Sequence, residues 1–143
     1  MKKLLLLPLS ALLLHACARK AMPVAGNTDA ATDCRAVMCT MDFRTVSLRV
    51  VDASGKPVKL DSYQTVLSGK GTAVLSGDAA ASMLDGTYPV VTDEWVANHK
   101  NTTAKMIFIG MVGNKPVVTE TFEIKADCCH VSKVSGKESI TAR

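Results

Sequence analysis

Apolar and polar residues alternate along most of the chain after residue 42, which is the pattern of half-buried β-strands. The first such run places Val46, Leu48 and Val50 on one face of a strand and polar or charged residues on the other. Turn-forming residues separate the runs, and Gly113 and Asn114 begin the turn of the clearest hairpin. The strands predicted from this pattern are 43–52, 58–67, 72–76, 88–92, 103–112, 117–125, 131–134 and 138–141.

Short strands separated by turns at intervals of about 8–12 residues are typical of β-sandwiches. We therefore predict an all-β fold, an immunoglobulin-like antiparallel β-sandwich of about seven short strands. Pro89 confines strand 88–92 to a sheet edge or a strand start, because proline has no N–H to donate. Residues 78–84 can form one or two helical turns, with Asp78 as N-cap and Gly86 as terminator. The aromatic residues expected to dominate the core are Phe43, Tyr88, Trp95, Phe108 and Phe122.

One turn links the sequence to a known class of domains. Residues 46–58 read VSLRVVDASGKPV and contain the pattern Asp52-x-x-Gly55-x-Pro57. This segment resembles the opening strand–turn–strand of carboxypeptidase-regulatory-like and transthyretin-like sandwiches, over about a tenth of the chain. The resemblance implies a sandwich fold and an accessory, adhesion or binding role beside other proteins.

The first seventeen residues predict export and lipid anchoring. Two lysines precede an apolar run at 4–14, which is typical of a signal peptide and far shorter than the ~20 residues that a membrane-spanning helix needs. The sequence LHAC at 14–17 resembles the lipobox of bacterial lipoproteins. That resemblance implies removal of 1–16 and acylation of Cys17. An ordinary secretory signal peptide and an uncleaved segment are the alternatives.

Anchoring sets the domain organisation that we predict. Ala18 follows the cysteine where an aspartate retains such lipoproteins at the inner membrane, so the resemblance implies the outer membrane. Residues 17–33 form the lipidated cysteine and a flexible linker, about 20–25 Å long on average, and 34–143 form the sandwich domain. The chain has 17 basic and 13 acidic residues, and loss of the two signal lysines leaves 15 against 13. A net charge of about +2 is too small to indicate a nucleic acid partner.

The other four cysteines predict disulfide bonds, because an even number in an exported chain usually forms bridges. They are Cys34, Cys39, Cys128 and Cys129. A bond between the two adjacent cysteines would close a strained eight-membered ring. We therefore favour one bridge from each N-terminal cysteine to one of the C-terminal pair, which requires the two ends of the domain to meet.

A metal site is the alternative use of these residues. Met38, Cys39, Met41 and His130 combine soft sulfur ligands with an imidazole, a set that suits copper or zinc. Paired zinc ligands are usually separated by two to four residues, however, and adjacent cysteines fit this spacing poorly. Disulfides and core packing explain the same residues, so we expect neither a metal nor a cofactor.

The remaining polar residues indicate binding rather than catalysis. We expect His99 to be solvated and His130 to pack or cap a turn, since no spacing supplies either with a catalytic partner. Asp93, Glu94 and Trp95 lie on a predicted loop, which we expect to be an ordinary loop with Trp95 half-buried; ligand binding by these three residues is the alternative. We expect a lipid-anchored cell-envelope binding or accessory module without catalytic activity, with an envelope protein or glycan as partner. The alternatives are a periplasmic soft-metal module and an enzyme of unrecognised type.

Overall fold

The computed structural model describes residues 33–78 and 85–143, and these residues form eight β-strands and two 3₁₀ helices. The 3₁₀ helices are Cys34–Ala36 and Asp93–Asn98. The strands are β1 (Thr45–Val51), β2 (Ser62–Leu67), β3 (Ala73–Asp78), β4 (Thr87–Thr92), β5 (Thr102–Val112), β6 (Lys115–Ala126), β7 (Val131–Ser135) and β8 (Ser139–Thr141). The signal segment, Cys17 and most of the linker lie outside the described residues. So does the predicted helical turn at 78–84, except for Asp78, which ends β3.

The strands form the two sheets of an all-β sandwich, as the sequence predicts. One sheet has the order β4-β1-β8 and the other β3-β2-β5-β6-β7. Strand β4, which contains Pro89, lies at a sheet edge as expected. One pairing differs from the antiparallel prediction, because β8 runs parallel to β1 from the pair Arg49–Ser139 to the pair Val51–Thr141. The chain leaves β7 in the larger sheet and crosses to the smaller one at Gly136, whose φ of 122° favours glycine.

The predicted alternation places the core between the sheets. Leu48 and Val50 are fully buried and Val46 is 9% exposed. Tyr88 lies in the centre, where its hydroxyl donates to the Val58 carbonyl and accepts from the Leu60 N–H, both at 2.8 Å. These bonds satisfy a buried hydroxyl that would otherwise destabilise the core. Within the described residues, no helix is long and apolar enough to cross a bilayer.

Phe43 is the one aromatic residue whose expected core position is wrong. Its side chain is 63% exposed, whereas the other four expected aromatic residues are buried. Phe43 precedes β1, and it has the strand parity of the exposed Arg49 rather than that of the buried Leu48. Tyr63 on β2 occupies the core instead, stacked on Phe108 with ring centroids 5.9 Å apart.

Candidate functional site

Two disulfides join the start of the domain to the loop between β6 and β7. Cys34 is bonded to Cys128 and Cys39 to Cys129, with Cα atoms 5.1 and 5.4 Å apart. This is the arrangement that the sequence favours, and the structure adds which cysteine pairs with which. We call the end of the sandwich formed by residues 34–44 and 127–131 the disulfide end.

Asp127 shapes the loop that carries the adjacent cysteines. Its Oδ1 atom accepts the backbone N–H groups of Cys129 and His130, both at 2.7 Å, and its own N–H donates to the His130 carbonyl. The bonds from these two amides lower the pKa of Asp127 below its ordinary value. The ionised carboxylate thus holds the turn that presents Cys128, Cys129 and His130 to the N-terminal segment.

His130 lies between a carboxylate and a hydroxyl. Its Nδ1 is 2.7 Å from Oδ2 of Asp93, and its Nε2 is 3.1 Å from Oγ1 of Thr40. An ionised carboxylate only accepts hydrogen bonds, so Nδ1 carries the hydrogen that joins the ring to Asp93, and Nε2 and the Thr40 hydroxyl share the second bond. The side chains of His130 and Asp93 are 11% and 9% exposed, so the bond between them is shielded from water, whereas Thr40 is exposed.

Asp93 ties three segments of the disulfide end together. Besides the His130 ring, its carboxylate accepts the backbone N–H groups of Arg44 and Val131, both at 2.7 Å. Burial, the largest single influence, raises the pKa of Asp93. The hydrogen bonds from His130, Arg44 and Val131 together outweigh it, and the pKa lies below its ordinary value. The Asp93 carboxylate therefore has a structural role, because it joins the segments that carry Arg44 and His130.

An open depression of about 360 Å³ lies beside this hydrogen-bonded chain. Val37 and Met38 supply apolar lining, while Thr40, Arg44 and His130 supply polar groups. A hydroxyl, an imidazole and a carboxylate in this order are the parts that nucleophilic enzymes use to activate a hydroxyl. The same contacts also fasten the N-terminal segment to the domain, which is a purely structural use.

Met38 and His130 of the soft-metal set considered from the sequence line the same depression, but the set lacks a free thiolate. Cys39 is in a disulfide with Cys129, which removes the thiolate that such a site needs. Met38 and Met41 are 95% and 103% exposed, and the His130 Nε2 atom is hydrogen-bonded to Thr40. Among residues 33–78 and 85–143, no group of three or more His, Cys, Asp or Glu side chains is placed to hold a metal ion.

Trp95 and His99 form a stacked pair next to the disulfide end. Trp95 lies in the 3₁₀ helix Asp93–Asn98, and His99 comes directly after it. The two ring centroids are 4.4 Å apart, with an angle of 11° between the planes. The His99 Nδ1 atom lies 2.9 Å from the Trp95 carbonyl, so it donates there and leaves Nε2 as an acceptor. The buried Nε1–H of Trp95 has no hydrogen-bond partner among the described residues.

The stacked pair divides a groove into two lobes. The lobes measure about 270 and 350 Å³, and Leu67, Trp95 and His99 line both of them. Exposed hydrogen-bonding groups border the groove, with Glu94 at one lobe and Lys105 at the other. We call this feature the Trp95 groove. One lobe carries Glu94 and the other carries Lys70 and Lys105, so the groove presents both signs of charge.

The loop candidates from the sequence therefore separate into two sites. Asp93 turns inward to His130, whereas Glu94 and Trp95 line the groove. The expectation of a solvated His99 is wrong, because its ring is partly buried against Trp95. Sequence reasoning missed Thr40 altogether, since its partner lies 90 positions away along the chain.

Comparisons with known proteins add no relative. No family model matches the chain, and no curated protein or solved structure matches it either.

Proposed function

We propose that this protein is a lipid-anchored binding module of the cell envelope, without catalytic activity of its own, whose ligand occupies the Trp95 groove. The groove carries the proposal, because it combines the partly exposed His99 ring, stacked on the buried Trp95 ring, with a polar border on the sandwich. The anchor at Cys17 and a position at the outer membrane belong to the same proposal and are supported by the sequence of residues 1–17.

A glycan is the ligand class that suits this groove. Sugars present a flat C–H face and a rim of hydroxyl groups, which match a ring face bordered by amide, hydroxyl and charged side chains. Asn98 and Thr72 are exposed at one lobe and can exchange hydrogen bonds with hydroxyl groups. The Nε2 atom of His99 can accept a further bond, because Nδ1 donates to the Trp95 carbonyl.

The binding proposal is tested with polysaccharides extracted from the envelope of the producing cell. The full chain is mixed with the immobilised fraction, and retention is compared with that of His99→Ala and Asn98→Ala. Thr119→Ala is the matched control, because Thr119 is an exposed residue of β6 outside the groove. We expect the two groove variants to lose about tenfold or more in affinity, equivalent to one or two hydrogen bonds, and the control to lose none. Equal retention of all four proteins would contradict the proposal.

The anchor is tested separately in the producing cell. A labelled palmitate precursor should enter the wild-type chain and not the Cys17→Ala variant, and only the wild type should sediment with outer membranes. Crosslinking in intact cells should then recover an envelope glycan or protein. A wild-type chain found unlabelled in the soluble periplasm would refute the anchor while leaving the groove untouched.

An ester-hydrolysing enzyme is a second candidate function, favoured by the Thr40–His130–Asp93 geometry. In that role the Thr40 hydroxyl would attack an ester carbonyl, and His130 would take its proton and return it to the leaving alkoxide. Water would then hydrolyse the acyl-threonine. Turnover of p-nitrophenyl acetate that disappears in both Thr40→Val and His130→Gln would support this function. Activity equal to that of either variant would exclude it for this substrate.

A further inference from the structure

Four apolar side chains are exposed together at the disulfide end. Val37, Met38, Met41 and Phe43 are 38%, 95%, 103% and 63% exposed. We call residues 37–43 the apolar loop. A soluble protein rarely presents several large apolar side chains within seven residues, and such a patch usually marks an interaction surface.

The apolar loop is held in place, so its exposure is not a consequence of a loose chain end. Cys39 near its centre is bonded to Cys129, and the neighbouring Thr40 hydroxyl is hydrogen-bonded to His130. Just beyond the loop, the Arg44 N–H donates to the buried carboxylate of Asp93. These three contacts thus fix the backbone of the apolar loop while its apolar side chains stay exposed.

The position of the loop along the chain indicates its partner. The described chain begins at Asp33, next to Cys34, so the linker from Cys17 enters at the disulfide end itself. As the flexible linker that the sequence predicts, the 16 residues between Cys17 and Cys34 would span about 20–25 Å on average. A lipid anchor would therefore keep this end of the sandwich close to the bilayer, where weak contacts suffice because the effective concentration is high.

The charges around the loop fit a lipid surface of low net charge. Asp33 and Arg35 form an ion pair at 3.0 Å, and Asp42 and Arg44 balance each other in formal charge. We propose that the apolar loop inserts into the interfacial region of the bilayer that carries the Cys17 anchor, and so orients the sandwich on the membrane. This inference depends on the proposed anchor but not on the Trp95 groove.

The test uses the full lipidated chain, purified from membranes and reconstituted into phosphatidylethanolamine–phosphatidylglycerol vesicles with brominated acyl chains, which quench tryptophan on contact. Phe43→Trp places a reporter in the loop. Val112→Trp is the matched control, because Val112 is 37% exposed and ends β5. Strand β5 starts at the disulfide end, where Thr102 pairs with Ala126. A rise of about 3.3 Å per residue along β5 places Val112 about 33 Å from that end.

We expect brominated lipid to reduce the Phe43→Trp emission several-fold more than that of Val112→Trp or of the wild type, whose Trp95 is buried. Replacing Met38 and Met41 with Ser in the Phe43→Trp chain should diminish the quenching. If the chain floats with the vesicles but Phe43→Trp is quenched no more than the control, loop insertion is refuted and the anchor stands. If the chain does not float with vesicles, the anchor fails and the orientation fails with it.

Discussion

Removing the two disulfides singly and together should give strongly non-additive losses of stability. Cys34–Cys128 and Cys39–Cys129 span 94 and 90 positions, so either bridge alone closes a long loop of the unfolded chain. In the chain-entropy model such a loop contributes about 4.7 kcal/mol. Once one bridge exists, the second closes only the short ring that runs from 34 to 39 and from 128 to 129, about six residues in all. Closing this ring contributes about 2.3 kcal/mol.

Each single removal should therefore cost about 2.3 kcal/mol, and the double removal about 7 kcal/mol, well above the sum of the two single losses. The variants are the alanine pair at Cys34 and Cys128, the pair at Cys39 and Cys129, and all four together. Guanidinium unfolding followed by Trp95 fluorescence gives the free energy of unfolding for each. The four-alanine chain should be close to unfolding, since small domains have only about 5–15 kcal/mol of stability.

The reduced wild-type chain is the control, because it breaks both bridges without altering side-chain volume. It should match the four-alanine variant to within about 1 kcal/mol, whereas a larger gap would measure the cavity left at the buried Cys128. A double loss equal to the sum of the single losses would refute the reasoning. So would a single loss as large as the double one.

Three further substitutions test other contacts. Gly136→Ala should destabilise the domain by about 3 kcal/mol in thermal unfolding, because the new Cβ would overlap the Phe122 ring at a positive φ; a loss below about 1 kcal/mol would contradict this packing. The pKa of Asp93 is lowered in the folded state, so its contribution to stability is complete above its unfolded pKa and is lost as the pH falls below about 4. Asp93→Asn should flatten the pH dependence in that window, and an unchanged slope would refute the assignment. Thr40→Val removes one hydrogen bond to His130 and should cost about 1 kcal/mol in urea unfolding, with no loss showing that the bond does not hold the loop.

Much of the fold could be predicted from the sequence, because each strand buries one face. The alternation of apolar and polar residues indicates which face is buried. Val46, Leu48 and Val50 are buried as expected, and Pro89 correctly placed β4 at an edge. Hydrophobicity alone wrongly predicts that Phe43 is in the core. Its odd residue number gives it the same parity as the polar face of β1, which starts two residues later. The parallel β1–β8 pair could not be foreseen, since nothing local specifies that the last strand changes sheets at Gly136.

The candidate site was less accessible to sequence reasoning. Its hydrogen bonds join residues that are 37 and 90 positions apart, Asp93 to His130 and Thr40 to His130. The Cys39–Cys129 disulfide brings Thr40 close to His130, and the packing of the 3₁₀ helix Asp93–Asn98 against β7 brings Asp93 there. The stacked Trp95 and His99 are four residues apart, but His99 follows the last residue of a 3₁₀ helix, in which side chains three residues apart align. The spacing therefore does not predict the stack.

The central claim, that the Trp95 groove binds an envelope glycan, has a direct reporter. The chain contains a single tryptophan, so a ¹H–¹⁵N spectrum of the labelled protein shows one indole N–H resonance. That group is buried beside the groove and has no partner among the described residues, which makes its shift sensitive to a ligand there. Titration with purified envelope polysaccharide should move this resonance until it saturates, and His99→Ala should abolish the shift. Binding detected by calorimetry while the indole resonance stays in place would contradict the claim.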